Sequence, residues 1–110
     1  METEKKIKVR FLENGEIKEV ELIIGLLTVK ERNEALRKAT KIQFAGNIPQ
    51  TTIDAVTLQE YTVLYAIKEP KEWKDLNKIG KIIPKDFDKL YNEIEKLNGV
   101  EEPFLKENQT

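Results

Sequence analysis

The chain contains no cysteine and no histidine. Without thiols there are no disulfides and no thiolate chemistry, and without imidazole the usual Cys/His zinc sites and the commonest general base at neutral pH are gone. Arginine is scarce, confined to Arg10, Arg32 and Arg37. The five glycines stand singly, so there is no Walker-type run, no dinucleotide fingerprint and no Gly-x-Ser-x-Gly elbow. Long apolar runs are missing as well. The stretch from Leu22 to Leu27 is interrupted by Gly25 and falls far short of the roughly 20 residues a membrane span needs. Met1 to Lys6 has no signal-peptide apolar region. These absences argue against most enzyme classes and predict a soluble, intracellular protein with no cofactor, metal or membrane span.

What is present is a balanced, strongly charged chain. Its 110 residues include 35% charged and 39% hydrophobic positions, apolar enough to fold around one small core. Nineteen basic residues against twenty acidic ones leave a net charge of -1 with the signs interspersed, which disfavours nucleic-acid binding. Arg37, Lys38 and Lys41 make the only basic cluster, and it is small.

The amino-terminal segment alternates, with Ile7, Val9 and Phe11 on one side and Lys8 and Arg10 on the other, before Asn14-Gly15 and a second alternating run. A two-residue turn there pairs Ile7 with Leu22, Val9 with Val20, Lys8 with Glu21 and Arg10 with Glu19. One face is then apolar and the other salt-bridged. Thr28 followed by Glu31 matches a capping box and starts a helix whose stripe is Val29, Ala35, Leu36, Ala39 and Ile42, with Glu34 and Lys38 paired on the charged side. Residues 43 to 51 carry Gly46, Asn47 and Pro49 without period and read as a loop, mobile or with Phe44 and Ile48 tucked into the core.

The segment from Thr52 to Lys68 reads as a helix with two apolar faces: Ile53, Val56, Val63, Leu64 and Ile67 on one, Leu58, Tyr61 and Tyr65 on the other. Pro70 ends it, Trp73 and Leu76 mark a short inward helix, and Pro84 opens a last helix with stripe Phe87, Leu90, Tyr91, Ile94 and Leu97. The expected architecture is α+β but mainly helical, an N-terminal β-hairpin followed by a small bundle of three to four helices. Within a single compact domain over residues 1–100, the hairpin spans about 6–23 and the helices about 28–42, 52–68, 71–77 and 84–98. Residues 101–110 form a flexible C-terminal tail.

The close carboxylate pairs, Glu31 with Glu34, Asp86 with Asp88 and Glu93 with Glu95, sit on lysine-rich polar helix faces, where solvated carboxylates make no acid–base dyad. A helix apolar on two sides is either the central helix of the domain, with its tyrosines packed under the hairpin or the loop, or a partner surface. Because tyrosine combines a large contact area with a polar tip, Leu58, Tyr61 and Tyr65, together with Phe87 and Tyr91 of the last helix, are the candidate partner-binding residues on the second reading.

The order of landmarks resembles the tail assembly chaperones of tailed phages and prophages of Gram-positive hosts, over roughly residues 15–101. The matching pieces are Glu16 to Leu22 ahead of the Leu27-Thr28 helix start, Glu34 to Lys41, Ala66 to Pro70, and the closing run from Pro84 to Val100. Ile83 stands where such proteins often place a Thr or Ser cap, and the link from 70 to 83 is unusually lysine-rich. The resemblance implies a protein of the host cytoplasm, absent from the mature virion, that binds the tape measure protein, with the tail tube subunit as a second candidate client. It would keep them soluble before tail assembly. It also implies a longer frameshifted form in many members. The competing reading is a small adaptor or regulatory protein-binding domain of a mobile element, and homo-oligomerisation is left open by both.

Overall fold

The computed structural model describes residues 2–99; the tail expected at 101–110 lies outside them. Strands β1 (Glu4–Glu13) and β2 (Glu16–Gly25) form an antiparallel hairpin. Its turn places Asn14 at φ 52 and Gly15 at φ 79, the left-handed pair a type I′ turn requires. The register is the one the alternation predicts, with Ile7 opposite Leu22, Val9 opposite Val20, Lys8 opposite Glu21 and Arg10 opposite Glu19. Helix α1 (Val29–Ala39) starts on the Thr28/Glu31 capping box. The Glu31 amide donates to Thr28 Oγ1 at 3.1 Å, and the Thr28 amide donates to Glu31 Oε1 at 2.9 Å.

The mainly helical expectation is overturned: the described residues are 37% strand and 45% helix. Residues assigned from sequence to a helix end, a loop and a helix start instead make a second antiparallel hairpin, β3 (Thr40–Ala45) and β4 (Ile48–Ile53). The physical reason lies in the turn. Gly46 takes φ 68 ahead of Asn47, so a two-residue Gly-Asn connection joins two runs rich in β-branched residues. Pro49, which argues against a central strand, is tolerated because each strand of a two-stranded ribbon is an edge. Phe44 and Ile48 are accordingly exposed, not tucked into the core.

Helix α2 (Ala55–Ala66) begins at Asp54, whose Oδ1 accepts from the Val56 and Thr57 amides. It is shorter than the expected 52–68 because its end unwinds into β5 (Ile67–Glu69), which pairs antiparallel with β2 to give the sheet order β1-β2-β5. Lys74 Nζ donates to the Ile67 carbonyl at 2.7 Å and the Leu64 carbonyl at 2.9 Å, placing a cation at the negative end of the helix. A 3-10 turn (Lys71–Trp73) and the single turn α3 (Leu76–Ile79) replace the helix expected at 71–77, and α4 runs Pro84–Leu97.

The core lies where the hairpin's apolar face meets the helices. Leu22, Ile24, Val63, Ile67, Leu90 and Ile94 are fully buried, with Val9, Ile79 and Trp73 beside them. Trp73 meets Phe11 edge-on, ring centroids 4.8 Å apart. Ala35 and Ala39 are buried on α1, but Val29 is 65% exposed and Ile42 lies on the outer hairpin, so that helix's inward stripe is narrower than the periodicity suggests. The two-faced reading of α2 changes too: Ile53 and Val56 are exposed while Val63, Ala66 and Ile67 are sealed inside.

The outer edge of β1 is closed by the chain leading into α4. The Leu12 amide donates to the Lys81 carbonyl at 2.9 Å, and the Ile83 amide to the Arg10 carbonyl at 3.0 Å. Asp86 Oδ2 accepts from the Arg10 backbone amide at 2.8 Å, while Oδ1 takes the guanidinium at 2.8 Å. Arg10 thus pairs with Asp86 on a helix and not with its cross-strand neighbour Glu19, and Lys5 likewise pairs with Glu93. On α1, Glu34 pairs with Arg37 instead of Lys38.

Two outcomes follow. Leu22→Ala leaves a cavity at the centre of the core and lowers the unfolding free energy by about 2–5 kcal/mol, read from denaturant titration. The Arg10 contacts hold the Asp86 carboxyl down to about 2. Because the folded value lies below the unfolded one, the pair's stabilisation is present above about pH 4 and lost as pH falls towards 2. Melting curves of the wild type and Asp86→Asn should therefore differ at pH 5 to 8 and converge near pH 2, by the same linkage.

Candidate protein-binding groove

Where the hairpin ends, the chain from Leu26 to Thr28 crosses to α1 and leaves a groove bounded by α1, α2 and the last two turns of α4. Its volume is about 370 Å³. Leu27, Leu36, Leu58 and Ile94 give it an apolar floor; Arg32 on α1 and Glu95 on α4 supply charge of opposite sign at its lining. Val29, largely exposed, stands at its mouth.

The end of the groove is tied by Asn98. Its Oδ1 accepts from the Leu27 amide at 2.8 Å, and its Nδ2 donates to the Ile94 carbonyl at 2.8 Å. One amide side chain therefore adds a second donor to a terminal carbonyl of α4, beside the Asn98 backbone amide, and fixes the β2–α1 connection against it. A preformed wall costs a ligand less ordering entropy than a loose one.

The structure divides the five candidate residues named from sequence. Leu58 and Tyr91 line the groove together. Tyr61 and Tyr65 lie along the side of α2 that faces α1, their ring centroids 6.2 Å apart, with Lys38 Nζ 5.9 Å above the Tyr61 ring. Burial, with the Glu34 carboxylate nearby, pushes the Tyr65 hydroxyl above its ordinary pKa, and burial with Glu95 does the same for Tyr91. Phe87 belongs to a separate depression of about 250 Å³ with Val56, Ile79 and Ile82. It also packs on the main core.

Leu27, Arg32 and Leu36 were not among the sequence candidates. Leu36 carried a signal as an apolar position in the α1 stripe; Leu27 and Arg32 carried none, because their meeting depends on how the connection folds back over α1.

The acidic residues have structural occupations. Asp54 caps α2 and pairs with Lys41 at 3.0 Å, which together hold its carboxyl down to about 2. Glu93 is lowered by Lys5. A general acid at neutral pH needs a raised carboxyl pKa, the opposite direction. Among the described residues, no group of three or more Asp or Glu side chains is gathered as metal ligands, and no helix is long and apolar enough to cross a membrane.

Compared with protein-family models, curated proteins and solved structures, the chain gives no match.

Replacing Asn98 by Ala strands the half-buried Leu27 amide, while the Ile94 carbonyl keeps the backbone amide of residue 98 at 3.1 Å. The expected cost is about 1–2 kcal/mol of stability. Faster exchange of the Leu27 amide, with the amides of β1 unchanged, would localise that loss to the groove.

Proposed function

We propose that this chain is a non-enzymatic protein-binding module that holds an apolar segment of a client in the α1/α2/α4 groove. The supporting observation is the groove's composition, an apolar floor with one cation and one anion at its lining. Such a surface suits an amphipathic segment whose apolar side chains enter while its polar face stays wet. Its small size suits contacts weak enough to be displaced.

The particular client rests on the resemblance of the sequence to tail assembly chaperones, foremost in the run that begins at Pro84, whose helix α4 is one wall of the groove. On that reading the chain acts in the cytoplasm of the host on the tape measure protein. The tail tube subunit is the second client. It holds their apolar stretches apart until the tail polymerises, and mass action of the growing tail strips it away.

The test is co-expression with the tape measure and tube proteins of the same gene cluster, then affinity capture and native mass spectrometry. Several copies of this chain on each tape measure are expected. Val29→Glu places a charge at the groove mouth on an already exposed position, so capture should fall at least about tenfold while the melting temperature holds, as surface substitutions cost little stability. Recovery of this chain alone, with both clients soluble without it, would favour the adaptor reading.

A further inference from the structure

The β3–β4 hairpin is an arm. It leaves the body at the end of α1 and returns at the cap of α2, and its base is closed by the Asp54 amide donating to the Ala39 carbonyl at 2.9 Å and by the Lys41–Asp54 pair. All of its strand residues are exposed. Directly opposed residues share a face, so Thr40 with Ile53, Ile42 with Thr51 and Phe44 with Pro49 line one side, and Lys41, Gln43, Gln50 and Thr52, with Ala45 and Ile48 next to the turn, fall on the other. The first side is a strip of Ile42, Phe44, Pro49 and Ile53, with Phe44 70% and Ile42 67% exposed.

Two features make this strip anomalous. An isolated two-stranded ribbon is marginal in water and needs something against one face. And residues 42–53, twelve in a row, carry no charge in a chain that is 35% charged, where about four would be expected. The flanking charges Lys41 and Asp54 neutralise each other.

We propose that the arm is a self-association surface: two copies of this chain meet arm to arm across a two-fold axis, apolar strip on apolar strip. A two-fold contact apposes a patch to itself, so any net charge on it would face its own sign. A strip without charge satisfies that condition as it stands. A partner of different sequence chosen by a chain this polar would instead be selected through complementary charges, which this segment lacks. The six side chains of that face, the four of the strip with Thr40 and Thr51, are fewer than the roughly 20–30 residues per side of a standard stable interface, so the dimer is weak and concentration-dependent, with Kd in the micromolar range or above. The groove lies on other elements, so this dimer stands or falls independently of client binding.

Sedimentation velocity over a range from about 5 to 500 µM should show the dimer fraction rising with concentration, and raising salt should not weaken it, since no charge pair is involved. Phe44→Glu should leave the chain monomeric throughout that range with an unchanged melting temperature, and Val29→Glu should dimerise like the wild type. In the wild type, amide exchange of residues 40–53 should slow as concentration rises. A chain that stays monomeric with concentration-independent exchange in the arm overturns the proposal. So does a dimer that survives Phe44→Glu.

Discussion

Burial of one hairpin face governs this molecule. The β1–β2 ribbon presents Ile7, Val9, Leu22 and Ile24 on a single side, and two strands alone cannot shield them. Helix α4 supplies Leu90 and Ile94, the end of α2 supplies Val63, and β5 supplies Ile67. Each of these side chains gains roughly 1.5–3 kcal/mol on leaving water, which offsets the entropy of ordering a chain of this size only when all of them close together. The β5 strand, the Trp73–Phe11 contact and the Arg10–Asp86 clamp all hold helices or edges against that face.

The two hairpins show how differently one chain treats sheet edges. The first has β5 along one edge and the segment from Lys81 to Asp86 along the other, with Asp86 accepting the Arg10 amide that would otherwise point at solvent. The second has neither cover nor the lysines that natural edges use to discourage pairing along most of its length. The uncovered edges accompany an uncovered apolar face, and it is that face on which the proposed contact rests.

Charge in this protein is mainly architectural. Asp54, Asp86 and Glu93 each carry a lowered pKa, and each does so by capping a helix or clamping one element to another. Lys74 closes the carbonyl end of α2 in the same spirit. The groove's apolar floor and the arm's uncharged strip stand among the apolar surfaces that the fold leaves open, along with Leu12 and Ile17 of the first hairpin.

Local chemistry was legible in the sequence wherever a few neighbouring residues decide the outcome. The Asn14-Gly15 turn set the register of ten residue pairs, the Thr28/Glu31 box set a helix start, and Pro84 with its following stripe set α4, because turn dihedrals, caps and 3.6-residue periodicity are properties of short segments. The Gly46-Asn47 turn is equally local, but Pro49 and the absence of a buried face give its flanking runs the pattern of a loop. What tertiary structure alone decided was choice of partner: Arg10 to Asp86 and not Glu19, Tyr61 and Tyr65 away from Leu58 and Tyr91, and Leu27 joined to Asn98. Those choices depend on where helices distant in sequence come to lie across the sheet, which is settled by packing the whole apolar face at once.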